Sequence, residues 1–464
     1  MKTRRGVVLI VSLAGLAGCS TYRSRPLSPA AVERALTPPD LAALKVTAAQ
    51  FKHPVIAPVT IDGAGGFTPD EIAIMAVIVS PELRALRDQR GVAEAQVVQA
   101  GILPNPQLAY GYDRPYGNAD PTLVPAKSLG LSWDLSALLT HHALVESARR
   151  QAKSVDLSIA WQEWQAAQAA RLRAFRLLSL NGRLPLARAV EAGLADTLSR
   201  TRQGVAEGLR TLPDLSLATK AWTDAEDARL ELEQELTQTN AELALELGLA
   251  PGEKVPLKPA AAFPDFPASA AEAASLLGGL EDRRLDLVAL REGYESQEAT
   301  LRAAVWAQFP KIGLNVNQAR DTTPVKTRGY AVTVDLPIFD RNQGQIALAR
   351  ATRQQLFDEY VARVADARSQ VGLVLAQLAM VRRQLQAVEQ SLPELERMNQ
   401  AYESARLSHN GDFMAARDAA GALAARRLEH SQLQQQAIEL AVALEIATGR
   451  PLLNRPAAGS APSS

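Results

Sequence analysis

The chain has 464 residues, and 50 lysines and arginines balance 50 aspartates and glutamates. That balance excludes a basic nucleic-acid-binding surface and an acidic solvating tail. Apolar residues make up 47 % and aromatic ones only 5 %, which suits long, narrowly packed helices; no apolar run reaches the roughly 18 residues of a spanning helix, so a membrane role needs strands.

Residues 1–18 read as an export signal, because Lys2, Arg4 and Arg5 precede an apolar stretch from Gly6 to Gly18 that is too short to span a bilayer. Leu16-Ala17-Gly18-Cys19 resembles the bacterial lipobox, which implies acylation of Cys19 and a mature chain beginning there. In that class Ser20, in place of an aspartate, implies delivery to the outer membrane. The alternatives are a free thiol or cleavage at Ala17. Cys19 is the only cysteine, so a disulfide framework is excluded. Residues 19–67 follow as a Pro- and Gly-rich, lipid-anchored arm.

The rest repeats. Pro81–Arg87 matches Leu285–Arg291, Pro106 matches Pro310, and Leu131–Leu135 matches Val332–Leu336, with Gly208 and Gly411 in register beyond them. A spacing of about 200 residues throughout indicates two similar halves in tandem, at 68–250 and 269–448. Between them, 251–268 is a Pro-rich connector, and the Pro, Ala and Ser of 449–464 predict a mobile tail.

Each half carries two segments of period-two alternation. In the first, Leu108, Tyr110 and Tyr112 alternate with small or polar residues, as do Leu129, Leu131 and Trp133; in the second, Ile312, Leu314 and Val316 do so, then Tyr330, Val332 and Val334. These are half-apolar strands. A soluble sheet alternates this way too, but apolar-out, polar-in segments near ten residues long are also the signature of a transmembrane barrel. Four strands cannot close a barrel, so closure demands several chains.

Long helices follow each strand pair, over 140–207 and 341–410, with Pro185 and Pro393 expected to kink or end them. In the return helix of the first half, Leu215, Ala218, Trp222, Ala225, Leu232, Leu236 and Leu243 keep coiled-coil spacing, with Arg229 and Thr239 in the gaps. In the second half Val361, Val364, Val371, Leu375, Leu378, Leu385 and Leu392 do the same, with Arg368, Arg382 and Glu389 at intervening seam positions. Periodicity alone also allows a soluble rod or bundle.

Four stretches resemble the outer membrane efflux protein family, the TolC-like outer membrane factors, and specifically their lipoprotein branch. They are Phe67–Arg87, Ala100–Leu108, Ala307–Ile312 and Val334–Ile346. The resemblance implies a mainly α fold with a membrane β-barrel portion. It implies a homotrimer in which four strands per chain build a 12-stranded barrel and the long helices form a periplasmic tunnel. It implies a periplasmic adaptor (membrane fusion) protein and an inner-membrane pump as partners, meeting turns near Gly208, Leu209 and Gly411. The motif after the second turn reads Arg417-Asp418-Ala419-Ala420-Gly421, where Gly421 replaces the family's usual arginine. Pro104–Pro106 and Asp340–Gly344 lean toward the cation-exporting branch over the drug-exporting one. The runner-up within the class is a duct for secreted polypeptides.

Three aspartates near the turns, Asp418 first and then Asp214 and Asp412, are candidates for a gate, since a trimer would crowd three like charges into each ring. Helix capping is the competing role, above all for Asp412 after a glycine. Chemistry of other kinds is not encoded: there is no phosphate loop, no metalloprotease helix and no thiol left after lipidation. Of the histidines at 53, 141, 142, 409 and 430, only His141-His142 invites a metal, and neighbours on a helix diverge by about 100°, which favours a polar junction at the strand exit. No enzyme activity, cofactor or metal is expected. The remaining alternative is a structural coiled-coil lipoprotein, which has no use for four amphipathic strands.

Overall fold

The computed structural model describes residues 21–37, 40–117, 122–250, 252–258, 275–323, 325–407 and 413–452. Cys19, His409, Gly411 and Asp412, with most of the connector and the tail, lie outside them. Residues up to Pro39 and from Asp40 onward form two units. In the first, helix α1 (Pro29–Leu36) starts where the Ser28 hydroxyl accepts the Ala31 N–H at 3.3 Å and Pro29 needs no partner for a missing N–H.

The second unit carries both repeats. The segment read as an arm is partly helical: α2 (Leu41–Gln50) is capped by Asp40 and buries Leu44 and Ala48. Helix α3 (Pro69–Val79) is apolar on nearly every side and correspondingly buried all round. A reciprocal pair starts it, in which Thr68 Oγ1 accepts the Glu71 N–H at 3.2 Å and the Glu71 carboxylate accepts the Thr68 N–H at 2.7 Å. Ile72 and Ile74 pack with Leu44, Ile61, Leu177 and Leu243, so Leu44 and Ile61 of the arm segment belong to the core.

The two halves then follow one order. Helix α4 (Pro81–Ala100), strands β1 (Gln107–Asp113) and β2 (Ala126–Asp134), and helices α5 (Ala137–Ala206) and α6 (Leu212–Glu246) make the first. After the short α7 (Leu280–Arg283), helix α8 (Leu285–Trp306), strands β3 (Lys311–Arg320) and β4 (Lys326–Asp335), and helices α9 (Gln343–Leu407) and α10 (Phe413–Thr448) make the second. All four strands join one antiparallel sheet in the order β1-β2-β3-β4. No helix among the described residues is long and apolar enough to cross a membrane.

Neither proline ends its helix. α5 runs 70 residues through Pro185 and α9 runs 65 through Pro393, about 105 Å and 98 Å at 1.5 Å per residue. Each proline removes one ladder hydrogen bond, but neighbouring apolar packing outweighs that loss. Leu180, Leu184 and Ala187 bracket Pro185 against Leu232 of α6; Val388 and Leu392 hold the approach to Pro393 beside Leu433.

The α6 seam follows the expected residues, and its polar gaps are satisfied. Arg229 reaches Glu191 of α5 at 2.6 Å, and buried Thr239 donates to the Glu235 carbonyl at 2.8 Å. The α9 seam does not follow them throughout. Ala367, Val381 and Val388, each one residue before the expected charge, are buried, while Arg368 and Glu389 face outward. Burying those charges would cost more than rotating the helix slightly; turned outward, Arg368 pairs with Glu281 at 2.5 Å.

Candidate functional site

The sheet has two chemically distinct faces, set by alternation along each strand and by the register between strands. On one face Leu108, Leu131, Val316 and Tyr330 form a row across all four strands, and Trp133, Leu314 and Val332 form the next. The first row is 49–82 % exposed, so nothing among the described residues covers it. On the other face the matching row is Gln107, Ser132, Asn315 and Ala331. Strands β1 and β4 each have one unpaired edge within the chain.

Aromatic side chains collect where strands meet helices. The Trp133 indole N–H donates to the Pro104 carbonyl at 2.7 Å, and Trp306 packs on Phe309 with ring centroids 5.6 Å apart. The exit from β4 turns on Asn342, whose φ of 58° is left-handed. Asn tolerates that conformation better than other side-chain-bearing residues. Its side-chain amide donates to the Ala304 carbonyl at 2.8 Å, while Asp340 accepts its backbone N–H at 2.9 Å. The Asp340-Arg-Asn-Gln motif is thus a built corner that launches α9. His141 hydrogen-bonds the Gly101 carbonyl at 3.1 Å, a junction contact near the strand exit. Among the described residues no group of His, Cys, Asp or Glu is placed to hold a metal.

At the tip between α5 and α6, Gly208 adopts a φ of 71°, open to glycine without the penalty other residues incur. Leu209 follows, 75 % exposed. Asp214 lies in a capping box: its carboxylate accepts the Thr211 N–H at 2.9 Å and the Thr211 hydroxyl at 2.8 Å. Those bonds hold its carboxyl below the usual range. Asp418 sits exposed on α10.

Near the tip, α10 is tied to α5 by Arg417, the neighbour of Asp418. Arg417 donates to Asp196 at 2.9 Å, and Arg200 holds the same carboxylate from one turn on at 3.2 Å. Gly193 makes room for it, since a Cβ there would lie 3.3 Å from the Arg417 guanidinium. Desolvation pushes the Asp196 carboxyl up, but the Arg200 and Arg417 hydrogen bonds and charges outweigh it and leave it below its ordinary value. Asp196 and Arg417 are 221 residues apart; only the i, i+4 pair with Arg200 is visible in the sequence.

A second missed group lies where α3, α5 and α10 converge. Arg171 of α5 pairs with Asp70 at 2.7 Å and with fully buried Glu445 at 2.8 Å, and Glu445 also accepts the Leu452 N–H at 2.5 Å. Nearby, His53 pins the arm to α5. Its Nδ1 accepts the N–H groups of Val55 and Ile56, so the neutral ring donates from Nε2 to the Ala160 carbonyl at 2.9 Å. Desolvation lowers its pKa and favours that neutral form.

Residues 75–249 match the outer membrane efflux protein family model. Comparison with curated proteins gives no match. Among solved structures, the chain is similar to CusC (18 % identity, 89 % of this chain and 99 % of that one, TM-score 0.65). It is similar to VceC of Vibrio cholerae (16 %, 82 % and 96 %, TM-score 0.62). It is also similar to the open state of MtrE of Neisseria gonorrhoeae (16 %, 86 % and 94 %, TM-score 0.64). At these identities the structures establish a shared fold, mainly helical with four antiparallel strands. The match over residues 75–249 and the shared fold make the chain similar to the outer membrane efflux protein family.

Proposed function

We propose that this chain is the outer-membrane duct of a tripartite efflux system, carrying small solutes, metal cations or drugs, from an inner-membrane pump and its periplasmic adaptor to the exterior. The observation that carries the reading is the uncovered, two-faced sheet with free β1 and β4 edges. Unpaired edges are untenable in lipid, and joining β4 of one chain to β1 of the next removes them all when three chains close a 12-stranded ring. The apolar face then meets lipid and the Ser, Asn and Gly face meets water. A structural spacer would not need that sheet; polypeptide export would use the same wall, and which cargo passes is set by the pump. Native mass spectrometry of the detergent-extracted protein should give a trimer that conducts ions in planar bilayers. A stable monomer with folded strands would refute the duct.

The reading includes a lipid anchor at Cys19, supported by the lipobox. The mature amino terminus should carry the mass of an acylated cysteine; an unmodified terminus, or one other than Cys19, rejects the anchor and leaves the duct standing.

At the gate, the tie between Arg417 and Asp196 holds the tip closed, and Asp418 lies beside it. Asp196→Ala frees α10 from α5 at the tip and should raise resting conductance several-fold. Asp418→Ala tests the carboxylate ring, and an unchanged conductance, cation selectivity and divalent block would remove Asp418 from the constriction. Because the Asp196 carboxyl is held below its ordinary value, the tie is complete above the usual carboxylate range. It is lost only as acid drives the pH below the ordinary carboxylate range, and resting conductance should rise there and not near neutrality.

A further inference from the structure

We propose that the end of the sheet farthest from the helices carries a binding row for anionic, phosphate-bearing lipid headgroups; this rests on the barrel reading above. The register places Lys127, Arg320 and Lys326 directly opposite one another on adjacent strands, and Arg328 one row nearer the middle beside Gln318. All four lie on the apolar face, in line with Leu129, Leu131, Val316, Tyr330 and Val332, and no acidic residue shares that face. The charged residues of the opposite face, Asp113, Asp134, Lys311 and Asp335, all lie at strand ends.

Like charges directly opposite on neighbouring strands repel. Among the described residues none of the four cations has an ion-pair partner, and the Arg320 Nε, shielded from solvent, has no hydrogen-bond partner. The Lys127 ammonium lies 5.8 Å from the centre of the Tyr112 ring, at the edge of the apolar rows. Strands β1 and β2 leave and re-enter the helical part at their other ends, as do β3 and β4, so the cations sit at the hairpin ends, beside the outer leaflet in an assembled barrel. Three strands about 4.8 Å apart present cations at a spacing that phosphate oxygens bridge, which relieves the repulsion. Four cations per chain, twelve in a trimer, form a girdle at headgroup level where each basic residue attracts anionic lipid.

The test reconstitutes the trimer in bilayers of equal phosphatidylglycerol and phosphatidylcholine, extracts it, and counts retained lipids by native mass spectrometry. Wild type should retain phosphatidylglycerol over phosphatidylcholine about tenfold. The combined Lys127→Gln, Arg320→Gln, Lys326→Gln and Arg328→Gln variant should lose that preference, and Lys127→Arg with Lys326→Arg should keep it. Equal lipid ratios for wild type and the glutamine variant overturn the proposal, because the row is then merely solvated. In parallel, a fluorophore on Leu131→Cys should be quenched by nitroxide-labelled lipid. Quenching without lipid preference rejects the binding row alone; no quenching rejects the barrel reading and the row with it.

Discussion

Leu131→Arg and Val332→Arg should each cost about 2–4 kcal/mol of stability in lipid if they lie near the bilayer midplane, and should sharply reduce the yield of trimer refolded into vesicles. Leu131 is flanked by Leu108 and Val316, and Val332 lies opposite Leu314, so a guanidinium at either place has only apolar neighbours in its row. Ser132→Arg and Thr333→Arg, one residue along, face Gln107 and Asn315 or Gly313 on the polar side. Water hydrates the new charge there, and the yield should stay close to wild type. Period-two geometry makes this comparison sharp, since neighbouring residues on one strand point to opposite faces. Equal losses on both faces would show that neither face meets lipid.

Arg171→Ala should destabilise the protein by about 3–5 kcal/mol, read from urea unfolding, because it removes the guanidinium from a fully buried carboxylate and weakens the compensation of that charge. Glu445 has no exposed surface, and its carboxylate also accepts the Leu452 N–H. The same substitution leaves Asp70, about one-third exposed, to rehydrate at little cost. Combining Arg171→Ala with Glu445→Leu removes both buried charges and should restore much of the loss. A cost below about 1 kcal/mol for Arg171→Ala would instead mean that the triad is already hydrated. The triad joins the start of the first repeat, its long helix and the last helix of the second. Its loss is therefore expected to loosen the link between the halves and leave the strands paired.

Much of this molecule is written locally. The two faces of the sheet follow from residues two apart, and the α6 seam from residues three and four apart; such neighbours share an element, and burying one side while wetting the other is decided within it. The four strands and the α6 seam were legible for that reason. The α9 seam was legible only to within one residue. Both Leu385 with its neighbours and the charged Arg368 and Glu389 fit coiled-coil spacing, and the choice of face depended on what α9 met across the seam. An end at Pro185 or Pro393, expected as the alternative to a kink, does not occur; the lost backbone bond is visible in sequence, and the packing of Leu184 or Leu392 that outweighs it is not.

Long-range pairs were out of reach of spacing altogether. Arg171 and Glu445 lie 274 residues apart, Arg417 and Asp196 221 apart, and His53 and Ala160 107 apart. Each side chain taken alone resembles any solvated charge or ring. Asp418 attracted attention as the retained acid of a motif, yet the structure gives the linking role to Arg417, since a helix points adjacent residues about 100° apart and only the place of α5 decides which one meets it. The sequence by itself determined which residues avoid water along each element. The tertiary structure decided which charges meet, because attraction between them acts only after folding has removed the water and the distance between them.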